Sequence, residues 1–283
     1  MSEPVYTLED KKRLKFYQGD TACEKDELLK EFYSVPKAYL VMNSLMYDGI
    51  ENERIRIEKE GKFLNSKLFY DIEEIIEVYI SIFNLMKYCY ELRESTDEVI
   101  TYRLDRKYSL ECFQKGSLVS FTSTSKNSDY DKEYFRKKDG LVIFNFRISS
   151  EIPYIDINEI LGKDTRFSEQ NEILLPPFLS IKMKELVLNE KEKIYRDVNH
   201  NPPIGKYEIT LENNIERNES DGKTVQELRN YLVDIENIKN AVDVIDRITS
   251  HKNIDETGIE KYVEWKKCFK GLIRIYYSEI LGR

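Results

Sequence analysis

Arg103, the hydroxyl row Ser123-Thr124-Ser125, and Gln170 with Glu172 are the side chains whose types and spacing could act on a substrate. Glu172 stands in "RFSEQNEILLPPF", where two carboxylates and two amides run straight into Ile173, Leu174 and Leu175 and a double proline. That much polarity at the mouth of an apolar strand suits a strand that must hold something polar. Taken alone, it suits a solvated strand end equally well. If the strand has begun by residue 170, side chains alternate, so Gln170 and Glu172 share one face and Glu169 and Asn171 the other. In "SFTSTS" the same alternation groups Phe121, Ser123 and Ser125, with Thr122 and Thr124 opposite. Arg103 interrupts the otherwise apolar "VITYRLD". A half-buried guanidinium needs a partner, and it is the side chain best shaped to grip phosphate oxygens in a two-pronged fork.

Other chemistries have little to work with. The two histidines, His200 and His251, have no companion at metal-ligand spacing, and Cys23, Cys89, Cys112 and Cys268 are scattered. This argues against a zinc site, a disulfide framework, and Ser-His or Cys-His nucleophiles. Neither G-x-G-x-x-G nor a P-loop is present, so a bound dinucleotide would be held without a glycine-rich phosphate turn. The formal net charge of −8 disfavours broad, charge-driven nucleic-acid binding. A hydrophobic share of 41% and an aromatic share of 12% predict a folded globule. No apolar run approaches the roughly 20 residues that span a bilayer. The opening "MSEPVYTLEDKKRLK" lacks the apolar stretch of a secretory signal. The expectation is a protein that works in the cytoplasm, or is delivered into another cell without a cleaved signal.

The elements that must position these residues follow from periodicity. From about residue 26 to 97 the pattern is helical. Leu28, Leu29, Phe32 and Tyr33 begin one face, Pro36 marks a boundary, and Asp71 precedes a stripe running from Ile72 through Tyr79 and Phe83 to Met86. From Val99 to Leu188 the runs are short and β-like: "VITYRL", "SLVSFTSTS", "GLVIFNFRIS", "PYIDI", "EILLPPF" and "IKMKELVL", with Val142, Phe144 and Phe146 on one face. Turns are expected at Lys115-Gly116, "KKDG" and "GKDT". After "NHNPPIG" comes a further strand, "KYEITLE". Two amphipathic helical segments follow, one striped by Leu228, Leu232, Ile235, Ile238, Val242 and Ile245, the other by Ile259, Val263, Trp265, Phe269, Leu272 and Ile273.

An arginine strand, then Phe-x-Ser-Thr-Ser, then Gln-x-Glu running into Ile-Leu-Leu-Pro-Pro resembles the Arg–Ser–Glu signature of mono-ADP-ribosyltransferases, in the pattern of the bacterial C3-like exoenzymes and injected effectors. The matches are "TYR" ending at Arg103, "FTSTS" with Ser123 leading the triplet, and "QNE" with Glu172 in the catalytic slot, all within residues 99 to 188. Each motif is short; the ordered set is specific. Leu104 follows the arginine where the family commonly has glycine, so the local backbone is expected to differ.

The resemblance implies an α+β fold: a split antiparallel β-sandwich holding NAD+ in its cleft, an N-terminal helical subdomain and a C-terminal helical appendage. The transferase domain would cover residues 1–212, helical over about 26–97 and β over about 98–212, with 213–283 as the helical region beyond it. It implies that NAD+ is a co-substrate, that no metal takes part, and that ADP-ribose passes to a target protein, in a toxin or effector. Glu172 would stabilise the ribose as nicotinamide leaves, and Ser123 would orient Glu172. Arg103 would clamp the pyrophosphate. Thr124 and Ser125 would complete the cofactor strand, and Phe121 would wall the nicotinamide side. Phe167 and Gln170 would recognise the acceptor. Arginine-modifying members carry Glu where Gln170 stands, so the acceptor implied here is a non-arginine side chain. Some relatives with Gln-x-Glu modify nucleic acid instead, the less favoured acceptor for an acidic chain. Plain NAD+ hydrolysis is a further alternative, and a catalytically idle binding module is the rival from another class. Against idleness stands the intact trio of Arg103, Ser123 and Glu172. The C-terminal helices could meet a target or an inhibitor; no membrane partner is expected.

Overall fold

Short runs of branched and aromatic residues between Val99 and Glu212 form seven strands: β1 (Val99–Arg106), β2 (Thr122–Ser125), β3 (Leu141–Ile148), β4 (Ile155–Asp156), β5 (Glu172–Leu175), β6 (Ser180–Leu186) and β7 (Gly205–Glu212). The computed structural model describes residues 6–18, 39, 42–43, 45–46, 71–128, 140–162, 168–197, 199–213, 222–250, 252 and 256–281. Leu28, Leu29, Phe32, Tyr33, Pro36, Phe167, Cys23 and His251 lie outside the described residues. The chain divides into two compact units, Met1–Leu85 with Arg217–Arg283, and Met86–Glu216.

In the second unit the strands make one seven-stranded sheet in the order β4-β5-β2-β1-β3-β7-β6. Most neighbours are antiparallel, but β3 and β7 run parallel, with Val142 opposite Gly205 and Arg147 opposite Thr210. The sheet is therefore mixed, which corrects the expectation of an antiparallel one. The long connection from β3 through β4, β5 and β6 lets β7 return in the direction of β3, which no hairpin can do.

The junction between β1 and β2 is narrow. β1 pairs with β3 at eight positions, from Val99↔Ile148 to Arg106↔Leu141. It pairs with β2 only at Tyr102↔Ser125. The expected strand "SLVSFTSTS" is accordingly cut short. Gly116, with φ 85°, turns the chain as its sequence predicts. Ser117 then bridges to Ser180, and Leu118 exchanges backbone hydrogen bonds with Leu179 and Phe178 at 2.8 and 2.7 Å. The segment ahead of β2 thus belongs to the edge where β6 begins, and only residues 122–125 join the ladder to β5.

One core cluster fills the face that the alternation of β3 predicts. Val142, Phe144 and Phe146 meet Ile173 and Leu175 of β5 and Ile209 and Leu211 of β7. Phe113, the last residue of the helix 107–113, stands edge-on to Phe144 and Phe146 at 5.0 and 5.8 Å between ring centres. Burying each such ring is worth about 1.5–3 kcal/mol. This core anchors β5 as well, because Ile173 and Leu175 are both fully buried in it. Pro176 and Pro177 end that strand, having no N–H to give a ladder.

Among the described residues the helices, in chain order, are α1 (Leu8–Gln18), α2 (Ile72–Glu91), α3 (Lys107–Phe113), α4 (Ile157–Leu161), α5 (Val225–Val233), α6 (Ile235–Thr249) and α7 (Glu256–Leu281). In the first unit, Arg13 of α1 pairs with Glu74 of α2 at 2.9 Å, and Arg229 of α5 pairs with Glu77 at 2.7 Å. Tyr79 meets Phe269, and Phe83 meets Tyr277, edge-on at 5.7 and 5.5 Å. The stripe from Leu228 to Ile245 is two helices and not one. Asp234 leaves the helical region (φ −60°, ψ 125°), and its carboxylate accepts from the N–H groups of Glu236 and Asn237 at 3.0 and 3.1 Å. An aspartate that stops one helix and caps the next was legible in "VDIEN". Among the described residues no helix is long and apolar enough to cross a membrane.

Candidate active site

The chain reaches Glu172 through a tight turn. Ser168–Gln170 form one turn of 3-10 helix, and Asn171 takes a left-handed conformation with φ 44° before β5 begins at Glu172. The strand has therefore not begun by residue 170, which corrects the expected pairing of Gln170 and Glu172 by alternation. In a 3-10 turn successive side chains fan out by about 120°, so strand periodicity says nothing about residues 168–171. Glu169 and Gln170 are both exposed, whereas Glu172 is buried to 9% exposure.

From Glu172 onward the register fixes the neighbours. Glu172 pairs with Ser125, and Leu174 with Ser123. Ser125 in turn pairs with Tyr102. Directly opposed residues of an antiparallel pair share a face, so Tyr102, Ser125 and Glu172 form a row, with Ser123 on the same face one diagonal step from Glu172. The hydroxyl beside the glutamate is that of Ser125. This residue donates to the Gln170 carbonyl at 2.6 Å and accepts from the Asn127 N–H at 2.9 Å. Thr124 faces the other way: it is buried, and its hydroxyl donates to the Ile173 carbonyl at 3.3 Å. Thr122 does likewise to the Ser120 carbonyl, and Phe121 is buried to 3% exposure just ahead of the strand. The alternation read from "FTSTS" thus holds for the described strand.

Arg103 lies on the opposite side of β1 from Tyr102, paired in the ladder with Phe144. Its guanidinium reaches the narrow junction. Nη1 donates to the Ser123 carbonyl at 2.7 Å, and Nε donates to Asp105 Oδ2 at 2.7 Å. Asp105 is almost buried and also accepts from the Arg106 N–H at 2.8 Å. The partner that a half-buried arginine requires is therefore Asp105, two residues along the same strand. The structure brings Arg103 to the backbone of Ser123 and Glu172 to the side of Ser125. By register, Arg103 and Glu172 lie on opposite faces of the sheet.

Beyond the hydroxyl row, Lys126 forms an ion pair with the buried carboxylate of Asp156. Burial pushes the Lys126 ammonium down, but the hydrogen bond and charge of Asp156, backed by Glu159 and Tyr154, outweigh it and hold the group above its ordinary value. Asp156 also caps α4, accepting from Asn158 N–H at 3.1 Å. Nearby, burial pushes the Cys89 thiol up to about 12, which removes it as a nucleophile at neutral pH. Among the described residues no group of three or more His, Cys, Asp or Glu could hold a metal ion.

Reading the sequence missed Tyr102, Asp105 and the amides Asn127, Asn158 and Asn171. "RLD" carried a signal for Asp105, since residues two apart on a strand share a face. Nothing local marks the asparagines, which meet only in space. Ser125→Ala removes both hydrogen bonds made by that hydroxyl and is expected to cost about 1–2 kcal/mol. A thermal melt and denaturant titration will measure it, and an unchanged midpoint would show that the hydroxyl does not tie the turn.

No protein-family model and no curated protein matches this chain. Among solved structures, it is similar to the C3 exoenzyme of Clostridium limosum, at 12% identity over 75% of this chain and 88% of that one, with a TM-score of 0.37. It is similar to exoenzyme S of Pseudomonas aeruginosa, solved with human 14-3-3 protein beta and carba-NAD, at 13% identity over 76% and 96%, TM-score 0.36. It is also similar to the Vis toxin, an ADP-ribosyltransferase from Vibrio splendidus, at 15% identity over 77% and 92%, TM-score 0.36.

Proposed function

We propose that this protein is an NAD-dependent mono-ADP-ribosyltransferase that transfers ADP-ribose to a non-arginine side chain of a target protein, as a toxin or effector. One observation supports this reading above the rest. Three motifs far apart in the chain fall on three neighbouring strands, β1, β2 and β5, with Ser125 in register with Glu172 and Arg103 bonded to the backbone of Ser123.

The chemistry follows from what such a site can stabilise. Cleaving NAD+ between nicotinamide and ribose builds positive charge on the ribose, as in glycoside hydrolysis. A nearly buried Glu172 carboxylate beside that sugar stabilises the charge more strongly than an exposed one, because less water screens it. Ser123, one diagonal step from Glu172, supplies the hydroxyl that orients it, while Ser125 commits its proton to the Gln170 carbonyl. Arg103, whose guanidinium reaches the β1–β2 junction from the opposite face, holds the pyrophosphate there in place of a glycine-rich turn, with Asp105 fixing its orientation. We take the single-register β1–β2 junction as the split of the expected β-sandwich, with the NAD+ cleft opening there. Gln170, exposed and able to donate and accept, orients a neutral acceptor such as Asn, Thr or Ser. Within the 1–212 transferase region the chemistry resides in residues 86–212, the part that belongs to the second compact unit, and the helical region 213–283 is left for contact with a target or an inhibitor. Phe167, outside the described residues, retains its proposed role in acceptor recognition.

The test is direct. Incubated with radiolabelled NAD+ and a cell lysate, the protein is expected to transfer label to a band destroyed by protease and unaffected by nuclease. Nuclease-sensitive label would replace the acceptor with nucleic acid. Free ADP-ribose alone would make the protein a hydrolase, and intact NAD+ would overturn the reading.

A further inference from the structure

The turn that precedes Glu172 is held by side chains from two other segments. Its three consecutive carbonyls are each gripped from outside. The Ser168 carbonyl accepts from Asn158 Nδ2 at 2.9 Å, that of Glu169 from Asn127 Nδ2 at 3.1 Å, and that of Gln170 from the Ser125 hydroxyl at 2.6 Å. Asn171 closes the set. Its Nδ2 donates to Asn127 Oδ1 at 3.2 Å, and its Oδ1 accepts from Asn158 Nδ2 at 2.9 Å. Its backbone carbonyl accepts from the Lys126 N–H at 3.0 Å, and its own N–H donates to the Ser168 carbonyl at 3.3 Å. Asn158 is fixed in turn, because its N–H is capped by Asp156, the residue paired with Lys126. The turn's outward side chains, Glu169 and Gln170, remain exposed.

A surface turn ordinarily samples several conformations, and ordering one costs about 1–2 kcal/mol per residue. Here that cost is met at folding. The left-handed backbone of Asn171 suits asparagine, one of the few non-glycine residues that tolerate it. Glycine would satisfy that backbone equally well but could not make either amide bond, so the presence of asparagine marks the side chain as the useful part.

We infer that Asn127, Asn158 and Asn171 are positioning residues: a three-amide latch that holds the 168–171 turn rigid, so that Gln170 and Glu169 meet an acceptor protein in a fixed geometry beside Glu172. The inference rests on the transferase reading for its function and on the hydrogen-bond pattern for its existence. A preorganised recognition turn lowers the ordering cost of docking an acceptor. It leaves the cleavage of NAD+, carried by Glu172 on the strand, largely untouched.

The experiment compares wild type with Asn171→Gly, which keeps the left-handed backbone and loses both side-chain bonds, and with Asn127→Ala at an exposed position. Hydrogen exchange of the 168–172 segment is read by mass spectrometry, and transfer to the acceptor and NAD+ hydrolysis are assayed separately. Exchange is expected to quicken about tenfold in both variants, as losing one or two net hydrogen bonds implies. Transfer is expected to fall about tenfold in kcat/KM for the acceptor, while hydrolysis and the KM for NAD+ stay within about twofold. Unchanged exchange in Asn127→Ala, which does not depend on a strained position, shows that no latch exists. Equal loss of transfer and hydrolysis shows that the amides serve the cofactor or the fold and not the acceptor. A wild type that neither labels protein nor releases nicotinamide overturns the transferase reading and the acceptor role with it, while the exchange measurement still decides the latch.

Discussion

Glu172→Gln is expected to keep the fold and to lower both NAD+ cleavage and ADP-ribose transfer by about a hundredfold or more, the usual consequence of deleting one well-aimed electrostatic contact to a developing charge. The substitution preserves shape and the ability to bond a ribose hydroxyl, and it removes only the negative charge. Glu172 is nearly buried and lies in register with Ser125. A neutral amide there is nearly isosteric with the carboxylate, so the melting midpoint is expected to stay close to wild type. Because the charge matters only as the ribose turns cationic, kcat falls while the KM for NAD+ changes little. Nicotinamide release measured over a range of NAD+ concentrations, beside a melt, separates these effects. Near-wild-type turnover would refute the role assigned to Glu172, whatever the protein then proves to do.

Arg103→Ala is expected to destabilise the fold by about 3 kcal/mol, the lower end of the range for removing one partner from a buried pair. The guanidinium is only 30% exposed, and its carboxylate partner Asp105 has 9% of its side chain exposed. Without the arginine, Asp105 loses the ion pair that Arg103 gives it, and the Ser123 carbonyl loses the Arg103 donor at the single-register junction. A double variant, Arg103→Ala with Asp105→Asn, also removes the carboxylate that Arg103 had paired and is expected to recover part of that stability. It should not recover NAD+ binding: losing a charge-assisted grip on the pyrophosphate is worth about 2 kcal/mol, near thirtyfold in KM. The double-mutant cycle thus divides the two roles of one side chain. If stability and the KM for NAD+ return together, Arg103 is a structural residue of the junction and something else holds the dinucleotide.

Sequence by itself determined the class of elements and the buried faces. The strand runs and the helical stripes follow from periods of 2 and 3.6, which are properties of local backbone geometry. Val142, Phe144 and Phe146 could be assigned to the core, Gly116 to a turn, and Arg103 to a need for some partner, because burial and pairing costs depend on residue type alone. The ordered Arg, Ser-Thr-Ser and Gln-x-Glu set was likewise legible, since it is a pattern along the chain. Tertiary structure alone decided which residues meet across it. It made Ser125, not Ser123, the direct neighbour of Glu172, because register depends on how β2 and β5 align and not on either strand's composition. It turned β7 parallel to β3 and restricted β1–β2 pairing to one position, which alternation cannot foresee. It also gathered Asn127, Asn158 and Asn171 around one turn: each amide is an ordinary polar residue in its own segment, and only the packing of three segments gives it a partner.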